Sequence, residues 1–232
     1  MKKKTFYTEI AYICGIIALA LGTALMEKAN FGMSMVVAPA YILYLKFSQI
    51  WSFITFGMME YTVQATLLII MMTVLRKFKA SYLFSFVTAV IYGITLDGCM
   101  FMVGLIKTDV IIWRIVFFSI GFILCAIGVA FMFHTYIAPE VYELFVKEVS
   151  KRFKININKF KTCYDCVSCL ISVIMSFVFF GMFHFEGVNI GTIICALING
   201  MTIGIFSTWF EKHLIFIDGL SLNAKQVEPN DK

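Results

Sequence analysis

Six apolar blocks, each about as long as a bilayer is thick, constrain this chain more than any other feature. They cover residues 10–26, 50–75, 81–106, 113–133, 166–183 and 188–210. A helix rises ~1.5 Å per residue, so roughly 20 apolar residues cross the hydrocarbon. Inside hydrocarbon every backbone polar group needs an internal partner, and a helix supplies one. The spacing therefore predicts an all-α polytopic membrane bundle of six transmembrane helices. The chain is 14% charged, whereas a soluble domain carries roughly a quarter. The second block is interrupted by Glu60 and Gln64.

A seventh apolar stretch, 31–45, is too short to span and holds Pro39. It is expected to be a short re-entrant or interfacial helix after the first span. Charge placement supports six spans over seven. Of the 19 Lys and Arg residues, only Lys28, Lys46, Lys107 and Arg114 fall on the outer side when the N-terminus is cytoplasmic. The positive-inside rule then places both termini in the cytoplasm. A seventh span would invert every later loop and erase the bias. Lys2, Lys3 and Lys4 precede the first block, but no small-x-small cleavage site follows it. An uncleaved first span is expected rather than a signal peptide. Residues 139–161 show helical spacing, with Val141, Leu144, Phe145, Val149 and Phe153 on one side. They are expected to form a cytoplasmic amphipathic helix on the inner surface or packed under the bundle. The polar tail after Asp218 is expected to be loose.

The two halves of the sequence match. GIIALALGTALM (15–26) aligns with GFILCAIGVAFM (121–132), sharing Gly at the first and eighth positions, Ala at the tenth and Met at the twelfth. AVIYGIT (89–95) aligns with ALINGMT (196–202) at nearly the same offset. This predicts a first three-span repeat over 1–109 and a second over 110–232. An odd number of spans per repeat inverts the second copy, giving a 3+3 inverted repeat, a plan shared by many secondary transporters.

ALMEKANFGMSMVVAPAYIL (24–43) resembles the start of the YitT/YczE-like family of bacterial integral membrane proteins. In that family a Gly-rich span is followed by a short A-x-x-G-x-S-type segment. EGVNIGTIICALINGM resembles that family's G-V-x-x-G-T and small-residue helix, here Gly187, Val188, Gly191, Thr192, Ala196 and Gly200. TLDG (95–98) sits where the family often has an Asp closing the first half. The resemblance covers about residues 10–210. Two departures stand out: MVVAP replaces the P-W-D run of the YczE branch, and the soluble C-terminal domain of longer YitT-type members has no counterpart. The resemblance implies a multi-pass protein of the bacterial plasma membrane whose family activity is largely undefined.

Ionisable groups inside spans are costly and mark function by default. Counted along the predicted helices, Glu60, Asp97, Gln64 and Asn199 fall at one level near the midplane. They are the candidate substrate- or proton-binding residues. The alternative is that Glu60 and Asp97 satisfy each other, or a backbone group, as interhelical glue. Gly15, Gly22, Gly121, Gly128, Gly187 and Gly191 are placed for close helix approach. Gly32 and Gly191-Thr192 open short segments whose amides are placed to meet an anion.

Cys163, Cys166 and Cys169 lack the fourth ligand that an iron–sulfur or zinc site requires. The three histidines, His134, His184 and His213, form no ligand pattern, so no metal or cofactor is expected. No G-x-S-x-G, H-E-x-x-H or P-loop supports an enzyme. The absence of a basic tract with interleaved aromatics speaks against nucleic acid. Expected partners are the lipid bilayer, a small-molecule or ion substrate, and a second copy or another membrane protein. Three functions stay open: a secondary transporter, proton-coupled through its carboxylates; a non-transporting membrane partner; and a substrate-binding subunit of a multi-component importer.

Overall fold

The computed structural model describes residues 4–107, 110–181 and 187–219, with the side chains of residues 158 and 190 excepted. The tail from residue 220 and His184 lie outside the described residues. Eight helices follow one order twice. The first set is long α1 (Thr8–Ala29), short α2 (Ala38–Phe47), long α3 (Phe56–Leu75) and long α4 (Ser81–Gly104). The second is long α5 (Ile111–Phe133), short α6 (Val141–Phe153), long α7 (Ile157–Phe180) and long α8 (Ile190–His213). Six of them are long and apolar enough to cross a membrane. Their outer faces leave Phe101, Val178 and Leu197 more than 70% exposed. A bilayer is the solvent that covers such surfaces.

α1 and α5 form the central pair. A Cβ on Gly22 would lie 2.6 Å from the Gly121 carbonyl, and one on Gly15 would lie 3.2 Å from that of Gly128. These pairings run in opposite directions, so the two helices are antiparallel and cross on glycine. Lipid tails are as apolar as leucine, so close packing rather than hydrophobic burial holds such helices together. α4 packs beside α1 and α8 beside α5. Buried Tyr92 of α4 bonds Thr23 of α1 across 3.0 Å.

α3 starts deeper than the apolar block suggests. The block begins at residue 50, but the helix begins at Phe56, capped by the Thr55 hydroxyl. Residues 48–55 form turns and irregular backbone, and Phe56 is buried against Tyr41 and Tyr44 of α2. α7 starts nine residues earlier than its block, at Ile157. The amphipathic stretch expected over 139–161 is divided. Lys154 adopts a left-handed conformation that ends α6, and residues 157–161 begin α7. α6 does not lie flat beneath the bundle. Its first residues reach Gln64 in the interior, while Glu148 near its end bonds Tyr82 at 2.7 Å and Lys79 at 3.0 Å.

Burial raises the Glu148 carboxyl, but Tyr82 and Lys79 outweigh it and hold it below the ordinary glutamate value. A lowered carboxylate stabilises the fold above its unfolded pKa of ~4.3 and loses that contribution as pH falls below it. Partial exposure limits the effect to about 0.5 kcal/mol. In thermal melts, Glu148→Gln should be slightly less stable than wild type near neutrality, and the gap should close in acid.

A short two-stranded sheet joins the two ends of the described chain. Lys4–Tyr7 (β1) pairs in parallel with Leu214–Ile217 (β2), two four-residue strands too short to leave a periodic signal. The Thr8 hydroxyl then donates to Asp218 Oδ1 at 3.1 Å, joining the start of α1 to the residue after β2.

Candidate functional site

The strongest polar cluster forms where α6 meets α3. Glu60 and Gln64 lie one turn apart on α3 and are fully buried. Gln64 Nε2 donates to Glu60 Oε1 at 3.3 Å and to Glu140 Oε2 at 3.1 Å. The Val141 backbone N–H donates to Gln64 Oε1 at 3.0 Å. A backbone N–H can only donate, so this bond fixes the amide: its oxygen faces Val141 and its NH2 group bridges the two carboxyls. Glu60 Oε2, Glu140 Oε1 and the Tyr142 hydroxyl are buried without a hydrogen-bond partner. Tyr142 lies within electrostatic reach of both carboxyls but outside hydrogen-bond geometry.

The depth of this cluster follows from helix rise. Asp97 bonds the start of α3 and lies seven residues before the end of α4, ~10 Å in from that end. Glu60 lies four residues further along α3, another ~6 Å. The pair is therefore about halfway along a 24-residue helix. No Lys or Arg is bonded to either carboxyl among the described residues. Glu140 lies outside the six spans. Burial, then Glu143 and Glu60, push its carboxyl well above the usual carboxylate range.

Asp97 does other work. Its Oδ1 accepts from the Gly57 N–H at 2.8 Å and its Oδ2 from the Thr55 hydroxyl at 2.6 Å. An acid at a helix N-terminus satisfies orphan amides and complements the dipole. It fastens α4 to the sunken start of α3, where Gly57 and Gly93 bring the two backbones together. Glu60 is not its partner. Asp97→Ala should cost about 2 kcal/mol, a cap plus a charge-assisted bond. Faster hydrogen exchange at Gly57 and Met58 would report it.

Of the four sequence candidates, the structure joins Glu60 and Gln64 and leaves the other two apart. Asn199 is half-buried on α8. Glu140 and Tyr142 complete the cluster instead. Residues 139–161 read as surface helix, which disguised them. The available signal was Pro139-Glu140, an acid at the start of an apolar periodic run.

The glycines of the 31–34 and 187–192 segments interlock. Gly191 N–H donates to the Phe31 carbonyl at 2.9 Å, and Met33 N–H to that of Gly187 at 3.3 Å. Gly32 has φ of +109°, and a Cβ there would lie 2.5 Å from Thr192 Oγ1. The Thr192 amide donates to Asn189. The amides that the sequence offered to an anion at Gly191-Thr192 are thus taken within the chain. Cys163, Cys166 and Cys169 are free thiols on α7. Among the described residues no group of three His, Cys, Asp or Glu side chains is placed to hold a metal ion.

Residues 6–208 match the model of a family of unknown function (DUF6198). The chain belongs to this family. No curated protein and no solved structure matches. The family match covers all six spans to within a few residues, together with Glu60, Gln64, Glu140 and Tyr142.

Proposed function

We propose that this protein is a proton-coupled secondary transporter of a small solute or ion. The buried Glu60–Gln64–Glu140 cluster carries the reading. Two carboxyls bridged by one amide, with no cation bonded to them, do not both ionise in a low-dielectric interior. Such a pair takes up and releases a single proton, which is the elementary step of coupling.

The order of elements supports a transport mechanism. Long–short–long–long occurs twice, matching the sequence repeat, and the short helices α2 and α6 are read as re-entrant halves. Each reaches across to the other set: α2 packs on α7 and α6 on α3. Inverted repeats with interrupted helices place sites near the midplane and rock about them. The two sets also differ. A Cβ on Gly93 would meet the Gly57 carbonyl at 2.8 Å, whereas its sequence mate Gly200 has nothing within 4 Å. One helix pair is closed and its counterpart is open, as one side of an alternating-access cycle requires. The charge bias orients the open side to the cytoplasm with both termini. The YitT/YczE resemblance fits the same architecture and a bacterial plasma membrane.

Proteoliposomes loaded with a pH dye provide the test. Among a panel of small solutes, at least one should drive proton movement through wild type and not through Glu60→Gln or Glu140→Gln. Equal movement through Glu60→Gln combined with Glu140→Gln would overturn the role of the cluster, and no movement through wild type with any solute would favour a scaffold or importer subunit.

A further inference from the structure

A cavity of about 770 Å³ opens between α5, α6, α7 and α8, beside the splayed α7–α8 pair. Its wall is mainly apolar, from α5 and α8, and includes Gly200 and Gly204. Four charged groups line it: Glu143 and Lys147 of α6, Lys161 and Asp165 of α7. Asp165 is 7% exposed, and its Oδ1 has no hydrogen-bond partner. Lys161 is the nearest cation, at 3.9 Å, beyond hydrogen-bond reach. Glu143 lies within electrostatic range of Asp165, Glu60 and Glu140. Pro139, beside Glu140, forms part of the wall. The cavity thus offers an apolar lining, a buried carboxylate oxygen with a lysine at 3.9 Å but no hydrogen-bond partner, and a run of acids leading to the carboxyl pair. Lys147 is exposed, and Lys161 offsets part of the Asp165 charge from 3.9 Å, so Glu143 keeps the least compensated charge on the wall.

Resting on the transport reading, we infer that this cavity binds an amphipathic organic cation. Its positive centre lies between Asp165 and Glu143, and its apolar groups lie on α5 and α8. Arrival of that charge favours ionisation of the Glu60–Glu140 pair, which releases one proton to solvent. No covalent bond changes, and one positive charge replaces another. The exchange is an antiport in outline.

The titratable groups that interact with the pair are Tyr12 of α1, Tyr92 of α4, Cys125 of α5, Tyr142 and Glu143 of α6 and Tyr164 of α7, while Lys147, Lys161 and Asp165 face the adjoining cavity. Only carboxyls and histidine titrate ordinarily in mild acid. His134 bonds the Ala130 carbonyl and lies 3.5 Å from Glu211, outside the cavity wall.

Titration calorimetry on the detergent-purified chain, with empty micelles subtracted, tests the inference. The probes are tetraphenylphosphonium, tetraethylammonium and tetraphenylborate. At least one of the two cations should bind, and the borate, with nearly the same shape as the phosphonium and the opposite charge, should not. Affinity should rise toward about tenfold per pH unit while one proton is displaced, and the heat should vary with buffer ionisation enthalpy. Asp165→Asn and Glu143→Gln should each weaken binding by about tenfold or more. Equal binding of the borate, unchanged affinity in both variants, or no binding of either cation would overturn the inference. Cation binding without proton release would keep the cavity assignment and remove proton coupling. Proton-linked flux of a neutral or anionic solute, with neither cation bound, would keep the transport reading and overturn this one.

Discussion

Glu60→Gln combined with Glu140→Gln is expected to raise the melting temperature of the protein while abolishing proton-linked transport. Gln has nearly the shape of Glu and makes the same bonds to a neighbouring amide, but it never carries a buried charge. Burying a carboxylate without a cation costs several kcal/mol, and proteins relieve that cost by keeping the group protonated. The sign follows from Glu140, whose carboxyl is raised by burial. A carboxyl raised in the folded state imposes no penalty below its unfolded value of ~4.3, and a growing one as pH climbs toward its folded value. The stability gain of the double variant should therefore be small near pH ~4 and larger at neutrality, about 1–3 kcal/mol. If the pair were structural glue, the same variant would melt lower at every pH. A site that costs stability is typical of function.

The second large effect is expected at the α1–α5 crossing. Gly22→Val places a branched side chain where a single Cβ already lies 2.6 Å from the Gly121 carbonyl and 2.7 Å from the Cys125 sulfur. The obstacle is backbone, which a rotamer change cannot move aside. Overpacking of this kind costs about 3 kcal/mol or more, enough to empty the folded state in detergent. Gly98→Ala is the control, since nothing lies within 4 Å of its Cβ. On an exposed helical face Ala is favoured over Gly by about 1 kcal/mol, so this variant should melt at or above wild type. Size-exclusion profiles and melting curves of the two variants should diverge sharply. Similar profiles would mean that the helices do not cross on glycine.

Much of this architecture is legible in the sequence because bilayer physics leaves few options. The six long blocks and the glycine match between 15–26 and 121–132 identify the spans and the small residues that meet. The short helices are harder. α2 has its Pro39 and a length too small to span, but α6 carries a surface-like charge pattern along its outer turns. Its first residues nevertheless reach Gln64 in the interior. Periodicity reports which face is apolar, not how deep a helix starts. For the same reason Asp97 and Glu60 looked level: counting inward from Trp51 and Ile106 puts the start of α3 at the interface, whereas the helix begins at Phe56, where Asp97 bonds it. β1 and β2 are joined by residues some 210 apart, a pairing that no local pattern contains.

Infrared difference spectroscopy tests the central claim most directly, because a protonated carboxyl has its own carbonyl-stretch band. In wild-type protein in lipid at neutral pH, that band should be present, weaker in Glu60→Gln and in Glu140→Gln, absent in the double variant, and lost from wild type as pH is raised. A band unchanged in the double variant, or no band that the two substitutions remove, would mean that the pair holds no exchangeable proton and that the coupling account is wrong.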